Sequence, residues 1–248
     1  MSRVVTLITD FGTADGYVGE MKGTLLSLAG DIQIVDITHE IPPQDVELAR
    51  LTVARTWRRF PAGTIHLVVV DPGVGSSRAA LVVQSDDRFL VGPDNGVLSP
   101  SLLEPAARAV ALTVPKHASA TFHGRDVFAP AAASLARGET IDSLGAPALD
   151  PIVCRTPVPV RRTDGAIEGE IIAIDRFGNA ITNLTGIDSG FVAFGELVIP
   201  VRHTYADASI GTPVAVIGSS GLLEVALRND NAARALGISR GDKVVLNG

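Results

Sequence analysis

The chain has 248 residues, 46% hydrophobic and only 4% aromatic, with a formal net charge of −6 and a mean hydropathy of +0.30. That length suits one large domain or two modest ones with aliphatic cores, and the acidic balance without a Lys/Arg run excludes the basic footprint of a nucleic-acid binder. Cys154 is the only cysteine, so no intrachain disulfide forms and a reducing compartment fits. No apolar run approaches the ~20 residues that span a bilayer. The opening Met1-Ser2-Arg3-Val4-Val5 reads as the start of a strand rather than a secretory signal, and a cytoplasmic protein without membrane or nucleic-acid partners is expected.

Residues 1–150 alternate between strand-like and helix-like patterns. Val4–Thr9, Ile65–Val70, Leu81–Gln84 and Phe89–Val91 are short continuous apolar runs, as strands covered on both faces require. Between the first two, Asp15 caps a predicted helix reaching Ala29. Pro43 opens a second, with Val46, Ala49, Val53, Trp57 and Phe60 on its apolar face. Asp126 opens a third, running to Ala136. This alternation predicts a mostly parallel α/β sandwich domain. Residues 151–165 contain Pro151, Pro157 and Pro159 and read as a linker. In 166–248, short strands at Glu170–Ile174, Ala180–Asn183, Glu196–Val201, Pro213–Ile217, Leu222–Leu227 and Lys243–Leu246 predict a small antiparallel β-barrel domain, with one helix at Ala232–Leu236.

Ligands of open α/β sheets bind beyond the carboxyl ends of the strands. Here those ends are Asp10-Phe11-Gly12, Asp71-Pro72-Gly73-Val74-Gly75 and Gly92-Pro93-Asp94-Asn95-Gly96. Each alone is also an ordinary turn. Together they bring carboxylates, and glycines that admit a ligand to the backbone, to equivalent places. Such carboxylates suit ribose hydroxyls, a metal or a positive charge. Arg78 follows the second turn and can share its pocket with Asp71. His123, before the third helix, can serve as acid, base or hydrogen-bond donor, while His39, His66, His117 and His203 read as structural or surface residues. In the second half, Asp175-Arg176-Phe177-Gly178-Asn179 combines a carboxylate, an aromatic face and an amide, the parts of a purine-nucleoside clamp. Glu224 interrupts an apolar strand and is either exposed or paired. No dinucleotide, Walker A or nucleophile-elbow motif is present, and no zinc spacing.

The set Thr9-Asp10-Phe11-Gly12-Thr13 with Asp15-Gly16-Tyr17, Asp71-Pro72-Gly73-Val74-Gly75 with Arg78, Pro93-Asp94-Asn95-Gly96, Phe122-His123-Gly124-Arg125-Asp126, Asp175-Arg176-Phe177-Gly178-Asn179 and Ser219-Ser220-Gly221 resembles the S-adenosyl-L-methionine hydroxide adenosyltransferases, relatives of the fluorinating and chlorinating enzymes. The resemblance implies hydrolysis of S-adenosyl-L-methionine to adenosine and methionine, without cofactor or metal. It also implies a homotrimer with active sites shared between subunits. Asp71, Arg78 and His123 become the catalytic set, and Asp10 the ribose ligand. Asp175 and Ser219 take the methionine amine and carboxylate, with Glu224 assisting there. Asn179, Phe177 and Tyr205 hold adenine, and Asp15 and Asn95 are further substrate contacts. In the halogenating branch Asp71 is replaced by an uncharged residue, a Ser or similar halide donor stands at Gly124, and a Trp stands at Gln44. Three other readings use the same residues: a metal-dependent phosphohydrolase built on Asp10, Asp71, Asp94 and His123, a nucleoside-binding module without turnover, and a chloride-using halogenase.

Overall fold

The computed structural model describes residues 3–187 and 189–248, and the chain divides into two compact units between Cys154 and Arg155. In chain order, the first contains β1 (Arg3–Thr9), α1 (Tyr17–Leu28), β2 (Ile32–Thr38), α2 (Val46–Thr56), β3 (Ile65–Val69), β4 (Ala80–Ser85), β5 (Arg88–Pro93), α3 (Ser99–Leu102), β6 (Arg108–Leu112), α4 (Ala129–Ala136), α5 (Ile141–Leu144) and β7 (Gly145–Pro147). The strands form one sheet in the order β2-β1-β3-β5-β4-β6-β7. β1 pairs in parallel with β2 and β3, and β3 with β5, whereas β4, β6 and β7 join through antiparallel pairings. β1, β2, β3, β5 and β6 therefore run one way, and β4 and β7 run the other. This is the expected mostly parallel α/β layer, with an antiparallel flank.

The continuous apolar runs are explained by burial on both faces. On one face Val5, Leu7, Leu67 and Val69 pack with Met21 and Leu25 of α1 and Ala132 and Leu135 of α4. On the other, Ile8, Val68, Val70 and Leu81 pack with Ala49 and Val53 of α2 and with Trp57. Three helix starts differ from expectation. Asp15 is exposed and caps nothing; α1 begins after Gly16, without a side-chain cap. Gln44 sits at φ 68, which breaks the helix expected from Pro43, so α2 starts at Val46 with Asp45 Oδ1 accepting from Leu48 N at 2.9 Å. The third helix opens as a π-helical turn, Gly124–Phe128, before α4. Pro130 offers no N–H to the carbonyl of Asp126 and would clash with it in a regular helix, so the turn widens.

In the second unit β8 (Val160–Arg161), β9 (Ile167–Ile174), β10 (Ala180–Thr185), β11 (Phe191–Phe194), β12 (Leu197–Arg202), β13 (Pro213–Ile217), β14 (Leu222–Leu227), α6 (Ala232–Leu236) and β15 (Lys243–Asn247) follow. The order β10-β14-β13-β12-β11-β15-β9, closed by a β10–β9 pairing, makes a seven-stranded barrel among the described residues, with β8 added at β9. Its pairings are antiparallel except β12 with β13, which is parallel. Ile171, Leu184, Val192, Leu223, Val225 and Val244 fill the interior. β8 lies within the proline-rich stretch read as linker, and Pro157 O there accepts from Asn183 Nδ2 at 2.9 Å.

His66 on β3 is 1% exposed, with Nδ1 2.7 Å from Thr6 Oγ1. Burial, reinforced by the charge of Arg88, pushes it from the ordinary 6.5 down to about 4. The unfolded chain therefore takes up a proton that the fold refuses. His66 contributes no pH dependence above pH 6.5. It withdraws roughly 3 kcal/mol of stability as pH falls from 6.5 towards 4. Denaturant titrations of wild type and His66→Gln across that range should converge as the pH falls; parallel losses would refute the assignment.

Candidate active site

β1, β3 and β5 are parallel neighbours, so Asp10, Asp71 and Asp94-Asn95 emerge at the same end of the sheet. From Asp71 the chain turns tightly. Val74 N donates to Asp71 O at 3.2 Å, and Ser76 N and Oγ donate to Gly73 O at 3.1 and 2.6 Å. The turn folds Arg78 back onto Asp71: Nε donates to Oδ1 at 2.9 Å and Nη2 to Oδ2, a two-point fork. The side chains are 9% and 5% exposed. Nη1 donates to Ala79 O at 3.2 Å, and Phe128 lies under the guanidinium at 5.2 Å. Nη2 also stands 3.0 Å from His123 Nδ1. A guanidinium only donates, so Nδ1 is the acceptor and the ring proton is on Nε2. Burial, and then the charge of Arg78, hold His123 below the usual histidine range, against the pull of Asp71 and Asp126. The three residues that the sequence singled out as a catalytic set are therefore in contact.

The other strand ends are committed to the same frame. Asn95 spends its amide on Val70 O, 2.9 Å from Nδ2, and on Val97 N, 3.2 Å from Oδ1, pinning the chain beside Asp71. Asp94 Oδ1 accepts from Ile152 N at 2.8 Å, and Asp10 Oδ2 from Gln44 N at 2.8 Å. Asp71, Asp94 and His123 are engaged with partners of their own. Among the described residues no three His, Cys, Asp or Glu side chains are grouped to hold a metal ion. Asp15 is exposed at the loop before α1. Sequence reasoning missed one neighbour, His39, which stands 2.9 Å from Thr9 Oγ1 at the end of the unrecognised strand β2.

In the second unit Asp175 organises the β9–β10 hairpin. Oδ1 accepts from the N–H of Phe177 and of Asn179, each at 2.9 Å, and Oδ2 from Asn179 Nδ2 at 3.0 Å. This leaves Phe177 75% exposed at the tip. Glu224 is paired rather than exposed. It is 8% accessible, and Tyr205 Oη donates to its Oε2 at 2.7 Å. Burial and this carboxylate raise the Tyr205 phenol far above its ordinary value. Gly218 leaves room for the Glu224 carboxylate, since a Cβ there would lie 1.7 Å from Oε1. Ser219 is exposed on the adjoining turn.

A mostly parallel α/β unit with polar strand ends is followed by a closed β-barrel, an arrangement that suits an enzyme acting on a small molecule. The sequence profile described as the SAM hydroxide adenosyltransferase N-terminal domain matches residues 5–145, and that of the corresponding C-terminal domain matches 169–245. The chain belongs to this family. It is 41% identical to the (R)-S-adenosyl-L-methionine hydrolase of Thermus thermophilus over 98% of this chain and 99% of that one. It is 36% identical to the protein of the same name from Salinispora tropica, over 97% and 96%. A fluorinase of Actinopolyspora mzabensis matches at 26%, over 97% and 96%. The crystal structure of an uncharacterized conserved protein from Thermotoga maritima superposes with a TM-score of 0.88 at 32% identity, covering 99% of this chain and 100% of that one.

Gly75 sets the distance between the Asp71–Arg78 turn and the segment leading to His123. Its φ is 77, and a Cβ would stand 2.4 Å from Ala120 O. Gly75→Ala should destabilise the fold by about 1–3 kcal/mol through strain and that overlap and lower turnover as the turn is displaced. A urea midpoint equal to wild type would contradict this.

Proposed function

We propose that the protein hydrolyses S-adenosyl-L-methionine to adenosine and L-methionine by in-line attack of a water on C5′, without a cofactor or metal. The observation that carries this reading is the buried Asp71–Arg78–His123 set beside β3, in a chain of this family. The sulfonium already makes methionine a good leaving group. What the reaction lacks is a nucleophile held behind C5′, and fixing one there can supply roughly 7–11 kcal/mol of the barrier. In this reading Arg78 stabilises the hydroxide character that develops on the water, and Asp71 orients the water and accepts its proton. His123, its Nδ1 occupied by Arg78, holds the guanidinium in place. The C5′–S bond breaks with its electron pair going to sulfur, and methionine leaves as a thioether.

Water is favoured over chloride because Asp71 cancels the charge of Arg78, so the pair offers a halide no net positive well. Asp10 is assigned to the ribose hydroxyls, with Asp15 and Asn95 further contacts. Asn179, Phe177 and Tyr205 are assigned to adenine. Asp175, Ser219 and Glu224 are assigned to the methionine amine and carboxylate; Asp175 keeps free lone pairs on Oδ2 for an ammonium. The assembly we infer is a cytoplasmic homotrimer with active sites shared between subunits, which the mass in light scattering tests.

In ¹⁸O-water the protein should yield adenosine labelled at the 5′ oxygen, with unlabelled methionine. Bound substrate without product would instead mark a binding module, and a chloride-dependent product a halogenase. Arg78→Ala should lower kcat by about 10²-fold or more while leaving KM within a few-fold. An unchanged kcat would sink the assigned role.

A further inference from the structure

His39 lies outside the Asp71–Arg78–His123 set, yet it is 5% exposed. It follows β2, at the same end of the sheet as Asp10. Its Nδ1 is 2.9 Å from Thr9 Oγ1, and its Nε2 is 3.1 Å from Asp36 Oδ1. Lys22 Nζ donates to the other oxygen of Asp36 at 2.6 Å. A carboxylate that close repels a lone pair, which places the ring proton on Nε2 and leaves Nδ1 as an acceptor. The Thr9 hydroxyl accepts from Phe11 N at 3.3 Å, which frees its own proton for Nδ1. The donors thus run from Phe11 N–H to Thr9 and from Thr9 to His39, while Nε2 stands close to the Asp36 carboxylate without hydrogen-bond geometry. The backbone adds two ties around the same turn. Gly12 N donates to His39 O at 2.8 Å, and Gln44 N, at φ 68, donates to Asp10 Oδ2 at 2.8 Å. Asp10 is thereby fixed between Thr9 and Phe11 on its own strand end and the 39–44 loop opposite.

We propose that His39 is a positioning residue for the ribose-binding carboxylate Asp10, with Asp36 fixing the tautomer that lets its ring accept from Thr9. The proposal rests on the assignment of Asp10 to the ribose hydroxyls. A fixed carboxylate loses little freedom when it binds a vicinal diol, whereas a loosened turn must be ordered by the ligand, at a cost in affinity. The loss should appear in binding, because in this reading Asp10 meets the ribose hydroxyls rather than the attacking water and contributes equally to ground and transition states.

The test compares wild type, His39→Gln and His39→Asn. Asparagine places its amide oxygen near the Nδ1 position and can still accept from Thr9. Glutamine reaches the Nε2 position and leaves Thr9 without its partner. For His39→Gln, binding of adenosine measured by calorimetry should weaken about tenfold, the worth of one such hydrogen bond. KM for S-adenosyl-L-methionine should rise to match, with kcat within about twofold. His39→Asn should restore most of the affinity. Binding of 2′,3′-dideoxyadenosine, which has no hydroxyls for Asp10, should be the same for all three proteins. A His39→Gln variant that binds adenosine as tightly as wild type, or loses affinity equally for the dideoxy compound, would overturn the proposal. So would a loss confined to kcat. If wild type binds adenosine more tightly than the dideoxy compound but forms no adenosine from S-adenosyl-L-methionine, hydrolysis fails and the His39 comparison still decides. If wild type binds both equally, the ribose assignment and this proposal fall together.

Discussion

A guanidinium that is 9% exposed cannot be left without partners. Removing one partner of a buried charge pair typically costs about 3–5 kcal/mol, and Arg78 is enclosed by four groups. Asp71 neutralises it, Ala79 O takes Nη1, His123 accepts from Nη2 and the Phe128 ring lies beneath. Satisfying all of them imposes much of the local architecture. The 71–78 turn closes through its own backbone and Ser76, and the π-helical turn carries Phe128 into place before α4 begins. Asn95 anchors the end of β3 through Val70 O, one residue from Asp71. The site is the place where the chain discharges the electrostatic cost of burying an arginine.

The strands buried on both faces were legible because apolar residues dominate them, with Thr6 and His66 paired to each other inside: Val5, Leu7, Ile8, Leu67, Val68 and Leu81 are all at most 1% exposed. β2 was not, because it is an edge strand with no fully buried residue and an internal Asp36. Missing it had a further effect. With β2 unrecognised, its carboxyl end was not counted among the strand ends, and His39 read as an isolated histidine. β6, β7, β8 and β11 escaped for related reasons. They are between two and five residues long, too short for a periodic pattern to separate them from loops. Helix starts failed where backbone geometry overrode composition, as at Gln44 with its positive φ and at Pro130 with its missing donor. Asp71 was readable as a candidate from its strand end and Arg78 from its spacing to it, whereas His123 read as a histidine before a helix and joined them through the family resemblance. Its contact with the pair was not legible, since it depends on how closely Gly75 lets two loops approach.

Both histidines beside the strand ends are held by one nitrogen in a way that limits what they can do. His123 presents its lone pair to Arg78, and its remaining ring nitrogen carries a proton. His39 presents its lone pair to Thr9, and its Nε2, 3.1 Å from Asp36 Oδ1, carries the proton. Neither ring offers a free basic nitrogen to a substrate water. A mechanism that needed strong general-base catalysis would be poorly served by this arrangement. A reaction whose leaving group is already a sulfonium needs much less, because the nucleophile has only to be placed and its developing charge met. The same neutral pair also bears on the choice of nucleophile. A halide gains from an uncompensated cation, whereas water gains from a donor and an acceptor held side by side, which is what Arg78 and Asp71 provide. The carboxylate that permits the arginine to be buried is thus also the group that makes the site suit water.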